Sequence, residues 1–275
     1  MLPSWRDELR IALSPDRVVL ARISRRWRPK VVAKHAVPCS GFATSDWHSC
    51  VDALRQVLQE PAWQHADASI VLSNHFVRYA LVPWSERLVS EDEKQAWVRH
   101  HFAERYGETA VPADYRWSED RPDAQCVASA IDSELLSEIS AACEPASLRL
   151  RSIQPYLMAV FNHCRRHIKR VPAWIVIAES GRACVASISN GQWRTITSAG
   201  VGEDWQAELS LVLERRLLLA EEETPEIVFV YGADVTDLGL GDVDDGRLKV
   251  LAPRTLRGYS PQSDAEYGMA LTGMV

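Results

Sequence analysis

The chain has 275 residues, of which 47% are hydrophobic and 25% are charged, and its formal net charge is -6 at pH 7. This composition is typical of a soluble globular protein with one large core or two modest ones. The negative charge argues against a nucleic-acid partner, which normally selects for a basic face. No apolar run in the sequence approaches the roughly 20 residues of a membrane-spanning helix, so we expect no direct membrane span.

The cysteines and the N-terminus indicate a reducing compartment. The six cysteines are scattered through strand-like and helix-like runs, and none forms a CxxC pair. The segment Met1–Arg10 is polar and charged, unlike a secretory signal peptide. We therefore expect a cytoplasmic location and free thiols.

The first part of the chain predicts three strands followed by a helix. Short apolar runs separated by polar turns indicate strands at Glu8–Leu13, Arg17–Ser24 and Lys30–Pro38. Apolar residues then recur at helical spacing over Asp46–Gln59, and Pro61 helps to end this helix.

The middle of the chain alternates strands and helices. Ser90 and Glu93 form a capping box that opens a helix reaching about Tyr106. Asp132 caps a second helix, and Pro155 suits the first position of a third. The strands predicted between these helices are Ala68–Ser73, Phe76–Pro83, Tyr115–Ser118, Gln125–Ile131 and Leu148–Ile153.

The second half begins after Val171-Pro172 with another three-strand unit. Asn190-Gly191 is a strong signal for a tight hairpin between two of its strands. A long amphipathic helix is predicted at Glu203–Glu222 and a final helix at Asp264–Leu271. The predicted strands are Ala173–Glu179, Arg182–Ser189, Gln192–Ala199, Ile227–Tyr231 and Lys249–Leu251.

One pattern occurs twice in the chain. The segments Arg17–Ser24 and Arg182–Ser189 share four of eight residues, and each lies in a three-strand unit followed by a helix and a strand. This duplicated order predicts an α/β, actin-like (ribonuclease-H-like) fold with two lobes and mixed sheets. We expect a first lobe over 1–170, with an inserted subdomain at about 84–150, and a second lobe over 171–275.

Three stretches extend this prediction to a family. Ser73–Trp84 matches a strand pair that leads into an extra subdomain, Ser152–Asn162 matches the crossing that ends the first lobe, and Tyr267–Leu271 matches a small-residue closing helix. In these stretches the chain resembles the PilM proteins of type IV pilus assembly and the related cytoplasmic domain of the GspL proteins of type II secretion. Because GspL proteins carry a membrane helix after that domain, the chain is more similar to the PilM type.

The resemblance implies a cytoplasmic adaptor. Proteins of the PilM type bind a short N-terminal segment of an inner-membrane PilN-like partner and so join the pilus platform, and many bind ATP in the cleft between the lobes. The implied location is cytoplasmic, peripheral to the inner membrane through that partner. Other platform components of the pilus or secretion system are further expected partners.

The chain departs from the family pattern in its phosphate loops. These loops normally carry an acidic residue for the metal and small residues that let backbone N–H groups approach the phosphates. The first loop has Ser14 and Asp16 but also a proline and no glycine. The remaining candidate residues are Glu179, Ser180 and Gly181 in the second loop and Gly232 after a later strand. We therefore expect a degenerate nucleotide site.

These features favour a non-catalytic scaffold, a pseudo-ATPase with no cofactor. The alternative is an active actin-like ATPase that binds ATP and Mg²⁺ in the interlobe cleft, and a sugar or acetate kinase relative ranks below it. No nucleophile elbow and no P-loop occurs, and His163 and His167 lack a third metal ligand. We therefore predict no catalytic residue and no metal site.

Overall fold

The structure of the chain is a computed structural model. Of the predicted helix Glu203–Glu222, the structure describes only residues 208 and 211. The described residues are 6–25, 28–40, 46–86, 88–107, 112–118, 124–168, 171–202, 208, 211, 225–232, 248–251, 253 and 255–273.

The first lobe is built on a five-stranded mixed sheet with the order β3-β2-β1-β4-β8. The central strand β1 is buried along its whole length, whereas the edge strand β3 is largely exposed. Strands β2 and β3 run antiparallel to the strands beside them, whereas β4 runs parallel to both β1 and β8. The strands are β1 (Glu8–Leu13), β2 (Arg17–Ser24), β3 (Lys30–Pro38), β4 (Asp67–Leu72) and β8 (Arg149–Pro155).

The second lobe repeats this arrangement with the order β11-β10-β9-β12-β13. Glu8 pairs with Ile23 in the first sheet, and the equivalent Ala173 pairs with Ile188 in the second. A β-bulge lies immediately before each of these isoleucines. The sequence repeat is therefore also a repeat of register. The strands are β9 (Ala173–Glu179), β10 (Arg182–Ser189), β11 (Gln192–Gly200), β12 (Ile227–Tyr231) and β13 (Leu248–Val250).

A third sheet lies between β4 and β8 in the chain, with the order β5-β7-β6. Its first strand begins at Val77, before the Trp84 at which we expected an insertion to start. Val98 and Phe102 of a helix pack on one face of this sheet, against Ala80 and Ala128. The strands are β5 (Val77–Val82), β6 (Ala113–Trp117) and β7 (Cys126–Asp132).

The helices follow the predicted capping signals. Ser90 and Glu93 form both hydrogen bonds of the capping box, and Asp132 accepts a bond from the Glu134 N–H. None of the helices in the described ranges is long and apolar enough to cross a bilayer. The helices are α1 (His48–Val57), α2 (Glu91–Tyr106), α3 (Ser133–Cys143), α4 (Tyr156–Ile168) and α5 (Gly268–Leu271).

Two helix starts differ from the prediction. Pro155 ends β8 instead of opening a helix, because its pairing with Leu72 of β4 keeps the backbone extended. The predicted final helix starts as a 3-10 turn, Ala265–Tyr267, and becomes α-helical only in α5. The carboxylate of Asp264 is held before this turn by Lys34 and by the Ser260 N–H.

Candidate functional site

The predicted nucleotide-site residues lie at the ends of the central strands. Ser14 and Asp16 form the turn between β1 and β2, and Glu179 ends β9 before the Ser180-Gly181 turn. Gly232 follows β12, which runs parallel to β9, so it lies at the same sheet edge as Glu179. The predicted residues therefore lie at turns and strand ends of the two central sheets.

The first loop satisfies most of its polar groups internally. The Ser14 hydroxyl lies 2.6 Å from an Asp16 carboxylate oxygen and 3.0 Å from the Arg17 carbonyl, and it can donate to one of them at a time. The Arg17 Nε donates to the other Asp16 oxygen at 2.8 Å. The backbone N–H groups of Ser14 and Arg17 bond across the turn, and Pro15 has none. The loop therefore offers few free donors to a phosphate.

The Glu179 carboxylate of the second loop reaches across to the first lobe. One of its oxygens accepts from the Ser73 hydroxyl at 2.5 Å, and the other accepts from the Asn74 N–H at 3.1 Å. Ser73 and Asn74 are fully buried directly after β4, where the Ser73 N–H also bonds to the Leu13 carbonyl. The Glu179 carboxylate thus accepts hydrogen bonds from Ser73 and Asn74 at the junction between the lobes.

Burial controls the charge of Glu179. Removal from water raises the pKa of this carboxyl from 4.5 to about 7, although the hydrogen bonds from Ser73 and Asn74 and the charge of Arg182 act in the opposite direction. Near neutral pH, Glu179 is therefore close to the midpoint of its titration. This property makes the contact between the lobes sensitive to protons.

His75 adds a second contact between the lobes. Its ring Nε2 lies 2.9 Å from the Ser180 carbonyl and donates to it in the tautomer that carries the proton there. Its backbone N–H donates to the Ser73 hydroxyl oxygen at 3.1 Å. Burial lowers the pKa of His75 and the charge of Arg182 lowers it further, whereas the hydrogen bond to the Ser180 carbonyl and the charge of Asp16 act in the opposite direction. The neutral ring is therefore favoured.

The structure brings only part of the predicted site together. Glu179 and Ser180 contact Ser73, Asn74 and His75, whose side chains sequence reasoning did not select as functional. The only sequence signal for these three was their place in the stretch that resembles PilM proteins. The side chains of Ser14 and Asp16, the two candidates of the first loop, bond within their own turn. Gly232 lies at the same sheet edge as Glu179.

A groove lies beside this contact, between the third sheet and helices α1 and α3. It encloses a cavity of about 170 Å³. His75, Arg78 and Asp132 add polar groups to its wall. The aromatic residues that line it are Trp47, Phe76, Phe102, Tyr106 and Tyr115. The cavity therefore combines aromatic surface with a comparable share of polar surface, and it is large enough for a single side chain rather than for a larger ligand.

The groove wall is held in place by hydrogen bonds. The Tyr106 hydroxyl donates to the Tyr79 carbonyl at 2.8 Å and accepts from the Tyr79 N–H at 3.3 Å. The Arg78 guanidinium lies over the Tyr106 ring, 5.6 Å from its centre. In the described ranges, β6 pairs only with β7, so its other edge has no strand partner among these residues. An extended segment could pair with this edge.

No family model and no curated protein matches the sequence. Solved structures match it in fold. A PilM–PilN type IV pilus biogenesis complex matches with a TM-score of 0.67 and 14% identity over 97% of this chain and 96% of that one. The cytoplasmic domain of EpsL, an inner-membrane component of the Vibrio cholerae type II secretion system, matches with a TM-score of 0.58 and 9% identity, over 96% and 94% of the two chains.

A Bacteroides thetaiotaomicron protein of unknown function, with an actin-like ATPase fold, also matches. Its TM-score is 0.58 and its identity 12%, over 91% of this chain and 94% of that one. The predicted α/β, actin-like, two-lobed fold is thereby confirmed, as is the likeness to PilM and to the GspL-type domain.

Proposed function

We propose that the chain is a cytoplasmic scaffold of a type IV pilus or type II secretion-like assembly platform. It binds the N-terminal segment of an inner-membrane PilN-like partner and reaches the membrane through it. The observation that carries this proposal is the aromatic groove, found on a fold shared over nearly the whole chain with PilM of a PilM–PilN complex.

The groove suits one apolar side chain of an extended segment. A cavity of roughly 150 Å³ accommodates a benzene-sized group, and the one found here measures about 170 Å³. Strand pairing along the edge of β6 away from β7 would hold the backbone of the segment, and Ala113 and Tyr115 of that strand line the cavity. Main-chain bonds would supply affinity, and the cavity would supply specificity.

Filling the cavity should weaken partner binding. We expect Ala113→Leu to reduce the affinity for a synthetic N-terminal peptide of the PilN-like protein at least tenfold, or about 1.4 kcal/mol. The reason is that the added side chain takes the space of the peptide's apolar residue. Fluorescence anisotropy of the labelled peptide measures this effect. Ala36→Leu, the same change at another half-buried strand position, on β3, should leave the affinity unchanged.

The partner can be identified independently. Affinity purification with the immobilised protein, from a detergent-solubilised membrane fraction of the source bacterium, should recover a PilN-like protein or another platform component. Mass spectrometry identifies the captured proteins. Recovery of no pilus or secretion component, together with no binding of the peptide, would refute the scaffold proposal.

The nucleotide site is proposed to be degenerate. Two observations support a pseudo-ATPase: the inward bonding of Ser14 and Asp16 in the first loop, and the engagement of Glu179 by the first lobe. The alternative is an actin-like ATPase that binds ATP and Mg²⁺ in the interlobe cleft, with Gly181 and Gly232 near the phosphates. Gly181 retains the positive φ of 73° that a tight phosphate loop requires.

Nucleotide binding can be measured directly. We expect no stoichiometric nucleotide in mass spectra of small molecules released from the purified protein. We also expect no saturable heat on titration with ATP and Mg²⁺, because the Ser14 and Arg17 N–H groups bond within their turn and Ser73 and Asn74 donate to Glu179. Tight binding that is abolished by Asp16→Asn or Gly181→Ala would instead establish the ATPase alternative.

A further inference from the structure

The contact between the lobes and the partner groove share a residue. We use the term interlobe clasp for the hydrogen bonds from Ser73 and Asn74 to Glu179 and from His75 to Ser180. The ring of His75 also forms part of the groove wall. One side chain is therefore in contact with both the second lobe and the space that a partner segment would fill.

A second, buried chain of hydrogen bonds runs from the groove to the clasp. Tyr106 lines the groove and bonds through its hydroxyl to the backbone of Tyr79. The Tyr79 hydroxyl donates at 2.7 Å to the side-chain oxygen of Asn74, and the backbone N–H of Asn74 donates to Glu179. Tyr79 and Asn74 are almost completely buried, so these bonds are shielded from water.

The groove wall also touches the second lobe directly. Arg105, which precedes Tyr106 on α2, donates at 2.7 Å to the Ile196 carbonyl of β11. The other wall of the groove, represented by Trp47 and Leu135, belongs to α1 and α3. A shift of the second lobe would therefore move the third sheet and α2 relative to α1 and α3, and would change the width of the groove.

We propose that the interlobe clasp and the groove are energetically coupled through His75 and through the Tyr106–Tyr79–Asn74 bonds, so that a closed clasp and an occupied groove favour each other. This inference rests on the proposed function and adds regulation of the same site. With the clasp closed, Ser180 orients the His75 ring and the wall is preorganised, which lowers the cost of ordering it on binding. Coupling of this kind is reciprocal.

The first test measures the effect of the clasp on the groove. Glu179→Ala removes the acceptor from a residue that does not line the groove. We expect it to weaken binding of the PilN-like N-terminal peptide about five- to tenfold, within the range typical of coupling between sites. The matched control is Asp92→Ala, which removes an exposed carboxylate of α2 and should leave the affinity unchanged.

The second test measures the effect of the groove on the clasp and needs no partner. The backbone N–H of Asn74 donates directly to Glu179, so the hydrogen-exchange rate of this N–H reports whether the clasp is closed. We expect Tyr106→Ala to increase this exchange rate at least threefold in the free protein, and saturating peptide to decrease it in the native protein. Amide exchange in β1, the buried central strand of the first sheet, should stay unchanged in Tyr106→Ala, which excludes general destabilisation.

The outcomes separate the two proposals. Peptide binding that is equal in the native protein and Glu179→Ala, with Asn74 exchange unaffected by Tyr106→Ala, would overturn the coupling and leave the scaffold function standing. No peptide binding by the native protein, with Asn74 exchange still raised by Tyr106→Ala, would overturn the scaffold function and retain the coupling between groove and clasp. If Glu179→Ala does not fold, Ser73→Ala serves, because it removes one donor of the clasp and Ser73 does not line the groove.

Discussion

Replacing Arg10 by alanine is expected to lower the free energy of unfolding by about 2–4 kcal/mol, because two carbonyl groups of buried residues lose their donor and each unsatisfied buried group costs about 1–3 kcal/mol. Arg10 lies in the central strand β1, and its guanidinium is almost fully buried. It pairs with Glu8 at 3.2 Å and donates to the carbonyls of Ala270 at 3.0 Å and Thr272 at 2.5 Å. The substitution would remove the donor from both carbonyl groups, and it would leave Arg25, which donates to Glu8 at 2.7 Å, as the remaining partner of that carboxylate.

The same bonds attach the C-terminal segment to the first sheet. Urea unfolding of Arg10→Ala should show the lost stability. Hydrogen exchange near Thr272, in the C-terminal segment, should increase more than exchange in β1. Arg55→Ala is the control, because its pair with Glu138 is about 40% exposed and exposed pairs contribute roughly 0–1 kcal/mol. Equal losses in the two variants would show that burial of the Arg10 network does not matter to stability.

Glu179 should make the protein less stable as the pH rises from about 4.5 to about 7. Burial raises the pKa of this carboxyl to about 7 in the folded protein, whereas an unfolded glutamate titrates near 4.3. The folded state therefore binds more protons between these values, and stability is lost as they are removed. The loss is about 3–4 kcal/mol in total, since proton affinity differs roughly 500-fold between the two states and each tenfold corresponds to about 1.4 kcal/mol.

Glutamine at position 179 imitates the protonated acid and removes this titration. We expect Glu179→Gln to match the native protein at pH 4 and to exceed it in free energy of unfolding by about 2–4 kcal/mol at pH 8. Urea unfolding at four or five pH values measures the difference. Asp92→Asn, at an exposed position, should give a curve parallel to that of the native protein. A parallel curve for Glu179→Gln as well would contradict the prediction.

Local patterns determined the elements of the fold with good accuracy. The bounds of β1, β2 and β3 agree with the prediction, because each strand is a short apolar run between polar turns. The Asn190-Gly191 turn was equally clear, since both residues adopt the positive φ that a two-residue hairpin needs. The repeat of Arg17–Ser24 in the second half indicated the two lobes before any long-range contact was known.

Other features depend on contacts between distant segments. Pro155 has the local signature of a helix start, but pairing with Leu72 in the sheet overrides it. Glu179 appeared in the sequence as part of a degraded phosphate loop. Its bond to Ser73 joins residues 106 positions apart, and no periodicity or spacing encodes such a contact. The groove is likewise assembled from α1, α2, α3 and the third sheet.

The sequence by itself determined the strands, most helices of the described ranges and the duplication. These depend on side-chain polarity and backbone preference over a few residues, and such signals are present before the chain folds. Only the tertiary structure decided that Glu179 is buried against Ser73 and Asn74, and that His75 lies between the clasp and the groove. The protonation of Glu179 and the accessibility of the groove wall depend on which distant groups exclude water from them. Tertiary packing determines which groups these are.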